Sequence, residues 1–353
     1  MKKNNEQCKL GSVGGEALME GIMMRGPNGA AMSLRLPDGT IETTLKQTKL
    51  PSERCKLLGW PIIRGPVSLI YSMVFGYKCM MESAEKATIG VLEETGEVES
   101  KLDRWIEKHL GEKFGAIIGV LGTLLGLGLA VGLFILAPEK LAGLLQRHTQ
   151  VDLTRFMPLI AGGMRIVLFV GYMFVMSQLK DIRRVFQYHG AEHKSIFCYE
   201  SGLPLTVENV RAQSRLHPRC GTSFLFVMIL LSILFSSAIT LLLPADLRAV
   251  WQESTWLRAA FKILQLPAIM ALGYEFIRFA GKHLSNPVVR IFSAPGLLMQ
   301  RITTKEPDDG VIEVGIEALK AALGMEYSPR IPALEAAATT EDTPAGNPGD
   351  TIV

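Results

Sequence analysis

The sequence predicts a mainly α-helical polytopic membrane protein of about four transmembrane helices, with a small N-terminal β-containing cytosolic domain. Three observations predict it. The chain of 353 residues is 48% hydrophobic and only 20% charged, whereas soluble domains carry about 25% charge. Stretches of more than twenty residues carry no charge at all, and mean hydropathy is +0.25. The first 60 residues lack such a run and instead alternate apolar and polar positions. The apolar runs exclude a purely cytosolic globular enzyme and a disordered chain. The 37 basic and 34 acidic residues leave +3, too small an excess to point to nucleic acid as a partner.

Residues 1–60 read as the cytosolic β-containing domain. Ala31–Leu36 and Ile41–Lys46 alternate, and Pro37-Asp38-Gly39 between them is a turn signal. The Gly- and Met-rich stretch from Gly14 to Pro27 points to close backbone packing. Residues 61–113 read as amphipathic and solvated helices. Within them 61–90 is apolar from Val67 to Phe75 but too short to span. It either lies at the membrane surface or packs in the core of the small domain. The chain starts with a basic end and no apolar run behind it, so no cleavable signal peptide is expected. Five cysteines, an odd number, fit a reducing compartment.

The transmembrane helical domain covers 114–284. The span 114–137 is uncharged and long enough to cross a bilayer. Its glycines at 115, 119, 122, 126, 128 and 132 supply three Gly-x-x-x-Gly spacings, a face for a second copy or another membrane protein. The span 156–179 is interrupted only by Arg165, and 222–243 is uncharged. The span 261–280 is weaker because it contains Lys262, Glu275 and Arg278. Lys and Arg number seven in the loop 180–221, three in 138–155 and two in 244–260; the twenty residues before the first span hold four and residues 281–305 hold four. That bias places both termini and the loop 180–221 in the cytosol. The loop opens as helix, stops at Gly202-Leu203-Pro204, and resumes from a Thr206 cap to about Leu216. Residues 285–327 read as interfacial and cytosolic, with an apolar patch from Val288 to Met299 broken at Pro295-Gly296. Residues 328–353 read as a disordered tail.

Three of six histidines fall within 29 residues. His189-Gly-Ala-Glu192-His193 puts two imidazoles four residues apart, on one helix face about 6 Å apart, where both reach one ion. Glu192 lies on the neighbouring face, placed to take a proton from a water; the order is the inverted form of the zinc-protease helix motif. His217-Pro-Arg-Cys220 adds a third and fourth ligand of types zinc accepts. The plainer reading of H-x-x-E-H alone is solvated histidines beside a basic loop. The second His/Cys pair beside a span favours metal. Four protein ligands make a closed structural site; three leave a position for chemistry. A straight helix carries His189 about 15 Å beyond Leu179, so assembly requires a bend, expected at Gly190, or a later end to the span. Arg165 and Glu275 are charges inside spans, which usually face a partner. They pair with each other, or Glu275 pairs with Arg278 or joins the metal. Glu306-Pro-Asp-Asp309 is either a cation site or a solvated turn.

Gly14–Pro27, Tyr188–Lys194, His217–Ser223, and Pro295–Thr304 followed by Glu306–Asp309 resemble, in the same order, the YqhQ-like family of bacterial inner-membrane proteins. The resemblance covers roughly residues 10 to 325. It implies a multi-pass protein of the bacterial inner membrane and a domain of unknown function often labelled a metal-dependent enzyme. That label points to His189, Glu192, His193, His217 and Cys220.

The function expected is a zinc-dependent hydrolase at the cytosolic membrane surface. His189, His193 and either His217 or Cys220 hold the ion, Glu192 activates water, and the substrate is a membrane peptide or lipid-derived. The competing class is non-enzymatic: a scaffold or a membrane-protein biogenesis accessory with a structural zinc site. A transporter is the third, motivated by Arg165 and Glu275, though four spans without repeats weigh against it.

Overall fold

The computed structural model describes residues 13–46, 55–95, 119–149, 153–244, 254–283 and 286–332, with Pro51 and Leu247 as isolated positions. Gly115, the charged stretch 96–113 and the tail from 333 lie outside the described residues.

A period of two builds the N-terminal sheet. Strands β1 (Gly14–Leu18), β2 (Gly21–Gly26), β3 (Gly29–Arg35) and β4 (Ile41–Lys46) form an antiparallel meander. The stretch Gly14–Pro27 is therefore a hairpin, closed where Leu18 faces Gly21, with Glu20 at φ 46 in the turn. Leu18, Met23, Ala30, Met32 and Leu34 point to one face, where they pack with Cys79. Ile22, Met24, Ala31 and Ile41 point to the other, which holds the main core. A sheet buried on both faces needs two covers.

The first cover is α1 (Pro61–Thr95). From Ser72 onward it is tied to the sheet by Arg25 Nη1 to Ser72 Oγ at 2.9 Å, Lys86 to Glu42 at 2.9 Å and the Lys46–Glu82 pair. Its first half packs on the last apolar helix, with Gly65 against Ala271 and Tyr274. The second cover comes from the far end of the chain. Helix α10 (Asp309–Leu323) buries Val311, Ile312, Val314, Leu319 and Ala322 against the sheet, and β5 (Arg330–Ile331) adds to β4. The sheet is thus covered by 309–323 and extended by Arg330–Ile331, which lie within the stretch 328–353 expected to be a disordered tail; from 333 that stretch lies outside the described residues.

Between the covers run α2 (Gly119–His148), α3 (Met157–Met176), α4 (Lys180–Glu200), α5 (Val207–Arg211), α6 (Gly221–Leu242), α7 (Thr255–Leu264), α8 (Leu266–Lys282) and α9 (Pro287–Thr303). Three are long and apolar enough to cross a membrane: Gly119–His148, Met157–Met176 and Phe224–Leu242. A fourth crossing exists if Trp256–Leu264 and Leu266–Ala280, bent by 45°, count as one.

Several boundaries differ from expectation, each for a physical reason. The chain breaks at Ser177–Leu179, not at Gly190, because Leu179 is extended (ψ 134) and α4 restarts behind it. Gly190 serves a close approach instead: a Cβ there would lie 2.1 Å from the Lys305 carbonyl oxygen. Thr206 does cap α5, accepting from Asn209 N at 3.3 Å, but the helix ends at Arg211. Helix α9 runs unbroken through Pro295, its buried Val289 and Met299 held against the bundle. Helix α2 continues past 137 through a π-helical segment, Gly132–Leu136. Pro138 has no N–H to offer the Phe134 carbonyl four residues back, and Arg165 Nε donates to it instead at 2.6 Å. Glycines 119, 122, 126, 128 and 132 have no atom within reach of an added Cβ, so no described helix of this chain packs on them.

The pairing of Arg165 with Glu275 is overturned. Glu275 is bound bidentately by Arg64, Nε at 2.6 Å and Nη2 at 2.5 Å. Arg165 instead faces Glu139 at 3.7 Å. Neither partner lies near in sequence, so local spacing could not name them. Glu306–Asp309 is an ion-paired cap: Asp308 Oδ1 accepts from Val311 N at 2.9 Å and Asp308 Oδ2 from Arg184 at 2.7 Å.

If α10 closes the core, Ile312→Ala will cost about 2–5 kcal/mol, read as a shift in the chemical-denaturation midpoint. A loss under about 1 kcal/mol, the range of exposed-site changes, would show the sheet standing without it.

Candidate metal centre

The residues with H-x-x-E-H spacing sit on α4, one turn apart, with ring centroids 4.4 Å from each other. Cys220 arrives from the other side as the N-cap of α6, its sulfur accepting from Thr222 N at 3.5 Å. One ligand atom each from His189, His193 and Cys220 lies within 4.8 Å of the others. His189 Nε2 is 3.1 Å from Cys220 Sγ.

The backbone settles which nitrogens are available. His189 Nδ1 is 2.8 Å from the Thr303 carbonyl oxygen and His193 Nδ1 is 2.5 Å from that of Arg215. A carbonyl only accepts, so each Nδ1 carries the proton and each Nε2 presents its lone pair. Orientation of a histidine through its second nitrogen is the usual outer support of a metal ligand. The donor set, two imidazoles and a thiol, suits zinc.

His217 stands outside this set. Its ring is 5.5 Å from that of His193, but Nδ1 accepts from Arg219 N and Nε2 faces Arg219 Nη2, both at 3.3 Å, with Glu200 at 3.8 Å. Burial pushes His217 below the usual imidazole range, leaving it neutral at pH 7. Its backbone is clamped by buried Gln300, which accepts from His217 N and donates to His217 O, each at 2.7 Å. Glu275, bound by Arg64, is also apart.

Glu192 is buried with its carboxylate accepting the Gly15 backbone N–H. Burial pushes it up to about 7, nearby Glu16 adds to the rise, and His189 opposes it. A carboxyl poised near neutrality can both take and give a proton. Gly15 is part of the fit, since a Cβ there would meet Glu192 Cγ at 3.0 Å and the Met23 carbonyl at 2.8 Å. Sequence reasoning singled out the ligand types but missed Gly15, Thr303, Arg215 and Gln300. Three of these lie in Gly14–Pro27 and Pro295–Thr304, stretches that carry the family resemblance, which was the available signal.

The class the fold presents is a covered sheet joined to apolar helices, with a half-buried to buried His/His/Cys cluster beside the sheet. The chain belongs to the family described as "Protein of unknown function (DUF1385)", which matches residues 60–325. It is also similar to "Uncharacterized protein YqhQ" of Bacillus subtilis (strain 168), 35% identical over 320 residues, covering 89% of this chain and 93% of that protein. No solved structure matches.

Gln300→Ala removes both partners of the buried His217 peptide groups. It will cost about 1–3 kcal/mol, measured by thermal unfolding, and an unchanged midpoint would show the clamp to be dispensable.

Proposed function

We propose that the chain is a multi-pass bacterial inner-membrane protein with cytosolic termini, and a zinc-dependent hydrolase at the membrane face beside the sheet. The observation that carries this is the ligand count. His189, His193 and Cys220 converge, while His217 is held by Arg219 and its clamp. Three protein ligands are the pattern of catalytic zinc, and four that of structural zinc. The apolar helices support the bilayer as the surrounding partner.

Zinc in this place supplies Lewis acidity to a carbonyl or phosphoryl oxygen and acidifies water. The chain's own residues do the rest. Thr303 and Arg215 carbonyls hold the imidazoles in the ligating tautomer. The Glu192 carboxylate, oriented by the Gly15 N–H, accepts the proton of the attacking water and returns it to the leaving group. Entry at the membrane surface fits a membrane peptide or a lipid-derived ester. The second reading is a structural zinc staple in a scaffold or biogenesis accessory. It is favoured by His217 lying one ring away from His193, close enough to complete four ligands if Arg219 releases it.

Elemental analysis of purified protein tests both readings. Zinc will be present in the wild type, lost in His193→Ala and Cys220→Ala, and kept in His217→Ala and Glu192→Gln. Glu192→Gln will fail to complement a deletion strain although it folds and holds zinc. Full complementation by Glu192→Gln would sink the hydrolase, loss of zinc in His217→Ala would favour the closed staple, and a metal-free wild type would sink both.

A further inference from the structure

The bundle carries a second polar cluster that the hydrolase does not use. Glu139 on α2, Arg165 on α3 and Lys262 on α7 are 6%, 7% and 8% exposed. Glu139 Oε1 binds Lys262 Nζ and faces Arg165 Nη2 at 3.7 Å, and Glu139 Oε2 accepts from Arg258 Nε at 2.9 Å. The cluster lies in the half of α3 remote from α4, the helix that packs on β1. Helix α3 runs from Met157 toward α4, and Arg165 sits only eight residues in, about 12 Å at 1.5 Å per residue. Lys262 is seven residues from the start of α7, about 10 Å on the same count.

Among the described residues the buried charges do not balance. Leaving Arg258 aside, two buried cations share one carboxylate. Arg165 Nε is committed to the Phe134 carbonyl, and Arg165 Nη2 is buried with no hydrogen-bond partner among the described residues. A buried cation left short of countercharge is strongly unfavourable. Lys262 Nζ has three donors, and Arg258 is the most exposed member, with 15% of its side chain accessible. A guanidinium and an ammonium about 10 Å beneath a bilayer surface suit a phosphate oxygen, since both reach and bind phosphates through charge-assisted hydrogen bonds.

We propose that this cluster is an oxyanion site, and that its occupant is the phosphate of an anionic phospholipid in the leaflet opposite the sheet. It rests on the membrane reading above, not on the zinc site. The phosphate oxygens accept from Arg165 Nη2 and from Lys262, and supply the charge that Glu139 alone does not.

The test uses the full chain purified in mild detergent and native mass spectrometry of retained lipid. Recovery of the chain in the soluble fraction without detergent would defeat the membrane reading before any lipid is measured. Lys262 is the residue to change, because Arg165 also satisfies Phe134 and its loss endangers the fold. Wild type will retain phosphatidylglycerol or cardiolipin after exchange into phosphatidylcholine. Lys262→Gln, monodisperse and of unchanged helicity, will retain roughly tenfold less, a modest loss for one partner of a buried charge. Lys262→Arg will restore retention. Equal retention by wild type and Lys262→Gln, or equal retention of phosphatidylcholine, would overturn the proposal. Thermal stabilisation of the lipid-stripped protein by inorganic phosphate as large as that by phosphatidylglycerol would overturn the lipid source.

Discussion

A helix buried on nearly every side needs partners for the charged and imidazole side chains it carries, and α4 imposes that demand on the rest of the molecule. Glu192, His193, Lys194 and Ser195 are consecutive and between 0% and 6% exposed. Successive residues turn by about 100°, so these four point around the whole circumference. The partners of Glu192, His193 and Lys194 accordingly come from different elements, while Ser195 Oγ has no hydrogen-bond partner among the described residues. The β1 edge gives Gly15 N–H to Glu192, the stretch before Leu216 gives its Arg215 carbonyl to His193, and Lys194 Nζ donates to the Arg211 carbonyl at 2.8 Å and pairs with Glu306.

The backbone must also come close where those partners arrive. Lys305 N donates to the Phe186 carbonyl at 2.8 Å beside the glycine at 190. Gly315 of α10 passes so near that a Cβ would lie 2.9 Å from Ser195 Oγ. A Cβ at either glycine would force α4 away from its neighbours. The histidines would then lose the carbonyls that fix their tautomers, so the core and the candidate centre are one construction.

The parts visible in the sequence were those set by local pattern. The alternation of Ala31–Leu36 and Ile41–Lys46 showed strands, uncharged runs showed the apolar helices, and the spacing of His189 and His193 put two ligands on one face. What stayed hidden depends on residues far apart in the chain. Nothing near Ile41 says that Arg330 and Ile331 extend the sheet, and nothing near Glu275 points to Arg64, 211 positions earlier. Proline misled in both directions. Pro295 did not break α9, because packing outweighs one lost hydrogen bond, while Pro138 left a carbonyl that required a donor from another helix. His217 carried the right chemistry for a ligand, and only the positions of Arg219 and Gln300 separate it from the other three.

The orphan carbonyl also separates two roles for buried charge. A helix in an apolar medium must satisfy every backbone group within the protein, and Pro138 denies the Phe134 carbonyl its usual donor four residues on. Arg165 repairs this through Nε, which accounts for one cation by structure alone. Glu139 then accounts for Arg165 as its counter-ion. Neither argument calls for Lys262, since a single carboxylate already neutralises a single guanidinium. Had the cluster served only to mend the helix, an apolar residue at 262 would pack α7 against α2 at lower desolvation cost, as replacement of buried ion pairs generally shows. Among the described residues, the positive charge of Lys262 is therefore the feature that mending the helix does not require, and it is this charge that the proposed anion would meet.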